Sequence, residues 1–144
     1  MKKFNLSHAM FNPAPFTLYQ DADFTVETFT YPSGVEALKL TNHRGYLTVL
    51  PFYGLMIWDA VFDGINLKEK DGFTYPRFGK QIADTYGAFE FNSGLLASGN
   101  PSPEDDHVQH GEFATARMDH AALLIEDGQL TVQSDYEYIK GFGD

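Results

Sequence analysis

Cysteine is absent from all 144 residues. That excludes a disulfide framework, a thiolate metal site and a cysteine nucleophile. Basic side chains are scarce: 10 Lys and Arg stand against 20 Asp and Glu, a net charge of −10. Nucleic acid and anionic bilayers are held by basic faces, so neither is expected as a partner. A neutral ligand such as a sugar is compatible with this balance. Long apolar runs are also missing, and none approaches the ~20 residues that span a bilayer. The basic pair Lys2-Lys3 is followed by Asn5, Ser7, His8, Asn12 and Pro13, not by the apolar core of a secretion signal. The expectation is a soluble, cytoplasmic protein.

What the chain has in quantity is aromatic. It carries 13 Phe and 8 Tyr, with 13 Gly to turn the backbone between them. Hydrophobic residues make up 43% and charged residues 21%, a folded composition rather than a disordered one. The length suits one domain, 1–144, with a sizeable core. Aromatic-rich, turn-rich chains lean towards β structure.

The pattern along the chain agrees. Pro13 and Pro15 oppose a helix, and Met1 to Pro15 reads as an irregular arm. Phe16 to Phe29 alternates around the turn Asp21-Ala22-Asp23, a hairpin or two short strands. Val35 to Thr41 alternates cleanly. Tyr46 to Pro51 reads as a strand that Pro51 stops. Leu55 to Phe62 is apolar and holds the only Trp, Trp58, and its aromatic and β-branched content favours strand. Leu67 to Gly79 reads as loop and Lys80 to Tyr86 as one helical turn. Ala88 to Leu96, Ala114 to Met118 and His120 to Glu126 read as strands. Asp127-Gly128 is a hairpin signal, with Leu130 to Ile139 as the returning strand. The closing Lys140-Gly141-Phe142-Gly143-Asp144 is neither a capped element nor a polar tail. Many short strands at turn-marked intervals predict an all-β antiparallel sandwich.

The chemistry concentrates between Gly94 and Met118. An apolar segment, Gly94 to Ala97, enters a loop built on Gly99, Pro101 and Pro103. Glu104, Asp105 and Asp106 follow, then His107, His110, Gly111 and Glu112. Two imidazoles and a carboxylate are ligand types for a metal, so a metal-binding β protein using His107, His110 and Glu112 is one reading. Positions three apart on a strand face different ways, however, and no helical His-Glu-x-x-His motif is present. The other reading is a sugar site, which combines polar hydrogen-bonding groups with an aromatic platform. His110 and Glu112 supply the first, and Phe113, Phe89, Tyr86 or Trp58 the second. The plainest reading is a pair of solvated loop histidines beside an acidic cluster, on an interaction module without a ligand.

Several of these stretches together resemble the aldose 1-epimerase, or galactose-mutarotase-like, family. They are Val35-Glu36-Ala37-Leu38, Leu50-Pro51-Phe52-Tyr53-Gly54, Asp84-Thr85-Tyr86-Gly87, Gly94-Leu95-Leu96-Ala97-Ser98-Gly99, Pro103-Glu104-Asp105 and His110-Gly111-Glu112-Phe113. The resemblance runs from about Gly34 to the C-terminus, and its most specific part is His110-Gly111 after a Gly- and Pro-rich loop. It implies a mutarotase-like sandwich that binds a pyranose in a cleft, and no cofactor. By the same resemblance His110 contacts the sugar, Arg77 is the nearest match to an upstream sugar-binding arginine, and Glu112 and His107 stand beside them. The family interconverts anomers with a general base and a general acid. Its catalytic His and Glu lie beyond the part resembled here, so the catalytic residues are unassigned. The chain is expected to be an N-terminal portion of a longer sandwich, a partial supersandwich, and a poor mutarotase by itself. Half a sandwich exposes an apolar face and open edges, so a homo-oligomer or a partner chain completing the sheet is expected.

Overall fold

A computed structural model describes residues 1–70, 72–139 and 141. The chain starts with strand β1 (Lys2–Leu6) and a 3-10 turn at His8–Met10. A meander follows: β2 (Phe16–Gln20), β3 (Thr25–Thr30), β4 (Glu36–Asn42), β5 (Gly45–Leu50), β6 (Met56–Phe62) and β7 (Ile65–Asn66). Each pairs antiparallel with the next, giving a 6-stranded sheet in chain order. After a long irregular segment, β8 (His120–Glu126) and β9 (Gln129–Asp135) form a hairpin. β1 joins it in a 3-stranded sheet of order β1-β8-β9. The fold is an all-β antiparallel sandwich. No helix among the described residues is long and apolar enough to cross a membrane.

The turns are built by short polar side chains that capture their own backbone. The Asp21 carboxylate accepts the N–H groups of Asp23 and Phe24 at 2.9 and 2.7 Å, closing β2–β3. Asn42 accepts those of Arg44 and Gly45 at 2.8 and 3.1 Å, closing β4–β5. Arg44 then pairs with Asp63, tying that turn to the β6–β7 turn. Asp127 and Gly128 both have positive φ, as the two-residue turn of a tight hairpin requires.

Strand alternation divides the core. Val26 and Leu38 face Leu6, Leu123 and Ile125 of the small sheet, with Phe11 and Phe52 completing that layer. Ala37, the neighbour of Leu38 on β4, joins a second cluster of Val35, Leu50, Tyr53, Met56 and Trp58. That cluster is roofed by Ile82 and Ala114 from the irregular segment, so the loops of interest rest on packed side chains. The small sheet thus covers one apolar face of the large sheet, and the irregular segment covers the other. What stays open are the sheet edges, β1 and β9 on one sheet and β2 and β7 on the other.

Four stretches differ from the sequence reading. Lys2–Leu6 is a paired strand, not an arm; it runs antiparallel to β8 from Lys2↔Ile125 to Leu6↔Ala121. Its partner lies at the other end of the chain, and only Phe4 and Leu6 mark its inner face. Ala88 to Leu96 is not a strand. Glu90 makes a single bridge to Ile57, and the Asn92 side chain donates to the carbonyls of Gly54 and Leu55. Ala114 to Met118 is a 3-10 turn, Phe113–Thr115, followed by a single bridge from Arg117 to Tyr53. The returning strand stops at Asp135, so Tyr136 to Ile139 is irregular. The helical turn at Lys80 to Tyr86 is a 3-10 turn over Ile82–Asp84, where the Asp84 carboxylate accepts the N–H groups of Lys80 and Gln81 at 2.8 and 3.1 Å. Apart from Gly141, the closing Lys140 to Asp144 stretch lies outside the described residues.

Candidate functional site

The loop between Gly94 and Met118 is zipped at its base by its own backbone. Gly94 N–H donates to the His110 carbonyl at 3.1 Å, and Phe113 N–H donates to the Gly94 carbonyl at 2.6 Å. Further out, His110 N–H donates to the Gly99 carbonyl at 2.7 Å. Ser102 and Asp105 close the acidic tip: Asp105 accepts the Ser102 N–H at 2.7 Å and returns its own to the Ser102 carbonyl at 3.1 Å. Gly111 sits where the two limbs touch. Its φ is +75°, and a Cβ there would lie 1.9 Å from the Ala97 carbonyl oxygen. The close approach that Gly111 permits is therefore to the loop's own backbone.

Glu112 organises the inner limb. Its Oε1 accepts the N–H groups of Leu95 and Leu96 at 2.7 and 2.6 Å. Burial acts to raise its pKa, but the N–H groups of Leu96, Glu112 itself, Leu95 and Ala97 outweigh burial and hold it below the ordinary 4.5. A depressed carboxylate contributes stability that is present above the unfolded value and lost as pH falls through the folded one. The Leu95 and Leu96 amide resonances should therefore stay constant above pH 4.5 and move together at lower pH. An NMR titration tests this. A common midpoint at or above 4.5, or the same midpoint in Glu112→Gln, would sink the assignment.

The four nominated residues do not meet. His107 and Glu112 line one cleft of about 910 Å³, and neither His110 nor Arg77 reaches it. The His107 Nδ1 lies 2.8 Å from the Val108 carbonyl. His110 is half-buried, with φ +66° and its ring centroid 5.2 Å from that of Phe91. Arg77 is exposed, with its guanidinium 5.5 Å from the centre of the Tyr75 ring, while its N–H donates to Thr85 Oγ1. Among the described residues no three of His, Asp and Glu converge as metal ligands. His107, His110 and Glu112 are thus not assembled as a ligand set, and one Glu112 oxygen already holds two amides.

None of the nominated aromatic platforms lines the cleft itself. Trp58 is 1% exposed and belongs to the core. Tyr86 and Phe89 are exposed but line a separate hollow with Glu69 and Lys70. Phe113 is half-buried, edge-on to Tyr136 at 6.2 Å.

The aromatics that line the main cleft are Tyr136 and Tyr138, 6.1 Å apart and just past the end of β9. Burial, then the neighbouring Tyr138 phenol and the Glu112 and Asp119 carboxylates, push the Tyr136 phenol up, so it is a hydroxyl donor at neutral pH. The cleft's cations are Lys80 and Arg117. Arg117 is pinned on both sides, since Gly54 N–H donates to the Ala116 carbonyl at 2.8 Å and Met118 N–H to the Phe52 carbonyl at 3.1 Å. Its guanidinium lies 3.8 Å from the Phe78 ring centre, and Phe78 stands edge-on to buried Tyr53. These four were missed in the sequence. Tyr136 and Tyr138 carried only the alternation of a strand, and Arg117 and Lys80 carried no spacing signal at all.

No protein family model matches the chain, and no curated protein or solved structure does either.

Proposed function

We propose that this chain binds a carbohydrate, in the manner of an aldose 1-epimerase-like sandwich, and that the cleft beside Tyr136 and Tyr138 is where it does so. One observation carries the reading: two tyrosines share an open cleft with the polar groups of His107 and Arg117. Sugars present apolar C–H faces and vicinal hydroxyls, and ring faces beside fixed donors are what recognises both. The residue-level resemblance supports the ligand class, while the site itself rests on the cleft and not on His110 or Arg77. The reading is binding rather than turnover. Mutarotation needs a base and an acid within hydrogen-bond reach of the same sugar. Glu112, the most enclosed carboxylate of the cleft, has an oxygen committed to holding the loop.

Titration of the chain with D-galactose and D-glucose, followed by NMR, tests this. Saturable shifts are expected at the Tyr136, Tyr138 and Arg117 amides. Tyr138→Ala should weaken binding by about 1 kcal/mol, roughly a fivefold rise in Kd. His110→Ala should change affinity less than Tyr138→Ala does. The reverse order places the sugar away from the cleft, and no saturable shift with any hexose refutes the reading altogether.

A further inference from the structure

We infer that the ligand of this cleft carries an anionic oxygen group, a phosphate or a carboxylate on the sugar, and that Arg117 with Lys80 holds it. The inference rests on the carbohydrate reading and narrows it to charged sugars. The chain has 20 Asp and Glu for 10 Lys and Arg, so acid partners are plentiful. Arg44 and Lys68 have each found one. Among the described residues neither Arg117 nor Lys80 has, although both line a cleft that acids also line.

The geometry of Arg117 suits this use. The guanidinium carbon lies 3.8 Å from the centre of the Phe78 ring, and the backbone of Arg117 is fixed between Gly54 and Phe52. A guanidinium presents a fork of N–H donors that matches phosphate and carboxylate oxygens. Phe78 and Lys80 lie on the same short segment. Its backbone is held by the bond from Gly79 N–H to the Tyr53 hydroxyl and by Asp84, which takes the Lys80 N–H. Lys80 thereby lines the same cleft as Arg117.

Among the described residues neither cation forms a salt bridge with an acid of the cleft. Asp105 is turned to the Ser102 N–H at 2.7 Å, and Glu112 to the Leu95 and Leu96 amides. Asp106 alone among them has no hydrogen-bond donor among the described residues, and it is suited to accept from a sugar hydroxyl.

Calorimetric titration with D-galactose, D-galactose 6-phosphate, D-galacturonate and inorganic phosphate tests the inference, in low and in high salt. One of the two charged sugars should bind at least about tenfold more tightly than galactose, and that preference should shrink with salt. Which one is preferred identifies the group as phosphate or carboxylate. Lys80→Ala should remove most of the preference while galactose affinity changes little, and Arg117→Ala should remove the preference and weaken galactose binding as well. Lys80 is exposed, so its variant reports even if Arg117→Ala disturbs the Phe52 to Gly54 contact. Galactose binding as tightly as both charged sugars overturns the inference and leaves the carbohydrate reading standing. Inorganic phosphate binding as tightly as the sugar phosphate overturns the sugar component, and silence from all four ligands overturns both.

Discussion

Trp58→Ala is expected to cost the fold about 3–5 kcal/mol, the usual loss for truncating a buried aromatic. Trp58 is 1% exposed and sits where β5 and β6 slip register, between the Thr48↔Asp59 and Val49↔Ile57 pairs. Its ring packs with Leu50, Tyr53, Met56 and Ile82, and the Lys68 ammonium lies 3.9 Å from its centre. Its carbonyl accepts the Phe89 N–H at 3.1 Å, so the same position anchors the segment that roofs the second core. Truncation removes the ring's apolar burial, opens a cavity among side chains held by two layers, and takes the ring away from a Lys68 ammonium that keeps Asp59 at 3.7 Å. Domains of this size are held by about 5–15 kcal/mol in total, so the loss is a large share of that stability and the urea midpoint should fall well below the parent's. Urea unfolding followed by far-UV circular dichroism gives the number, since the variant has no Trp left for fluorescence. A loss below about 1 kcal/mol would mean that this cluster is not the core described above.

Gly111→Ala should cost about 2–4 kcal/mol and abolish ligand binding at the cleft. Two effects add. The φ of +75° disfavours any side chain, and the new methyl would fall 1.9 Å from the Ala97 oxygen and 2.8 Å from that of Gly94. Both obstacles are backbone, so relief requires the two limbs to part. Parting them breaks the bonds of Gly94 with His110 and Phe113, and then the seat of Glu112 on Leu95 and Leu96. Gly99→Ala isolates the first effect, because Gly99 has φ +71° with nothing within 4 Å of a new methyl. It should cost only about 1 kcal/mol. The readouts are urea unfolding and the Leu95 and Leu96 amide resonances. Equal costs for the two variants would show that the close approach at Gly111 is not a constraint.

The strands and turns of the meander were legible in the sequence because their causes are local. Val35 to Thr41 alternates, and β4 occupies Glu36–Asn42; Asp21 and Asn42 capture N–H groups two and three residues on. Asp127-Gly128 turns as its residue types require. The sandwich class followed from the spacing of such elements. The nominated loop, too, was legible as the place where polar groups crowd between glycines and prolines.

Tertiary structure alone decided the rest. β1 exists because β8, at the far end of the chain, supplies its hydrogen bonds, and no window of residues 1–15 contains that partner. Apolar Ala88 to Leu96 has a strand's composition but pairs with β6 only at Phe89 and Glu90, and beyond them side-chain hydrogen bonds hold Asn92 to the Gly54 carbonyl and the Leu95 N–H to Glu112. His110 and His107 look equivalent in sequence, yet a positive φ turns the first onto Phe91, while the second lines the cleft. Arg117, Lys80, Tyr136 and Tyr138 become one surface only when the irregular segment folds onto the sheet and β9 ends beside it. Periodicity and residue type are properties of neighbours along the chain, and they determined which elements form. Which side chains share a cleft is a property of neighbours in space, and only the packing of the two sheets with their loops decided that.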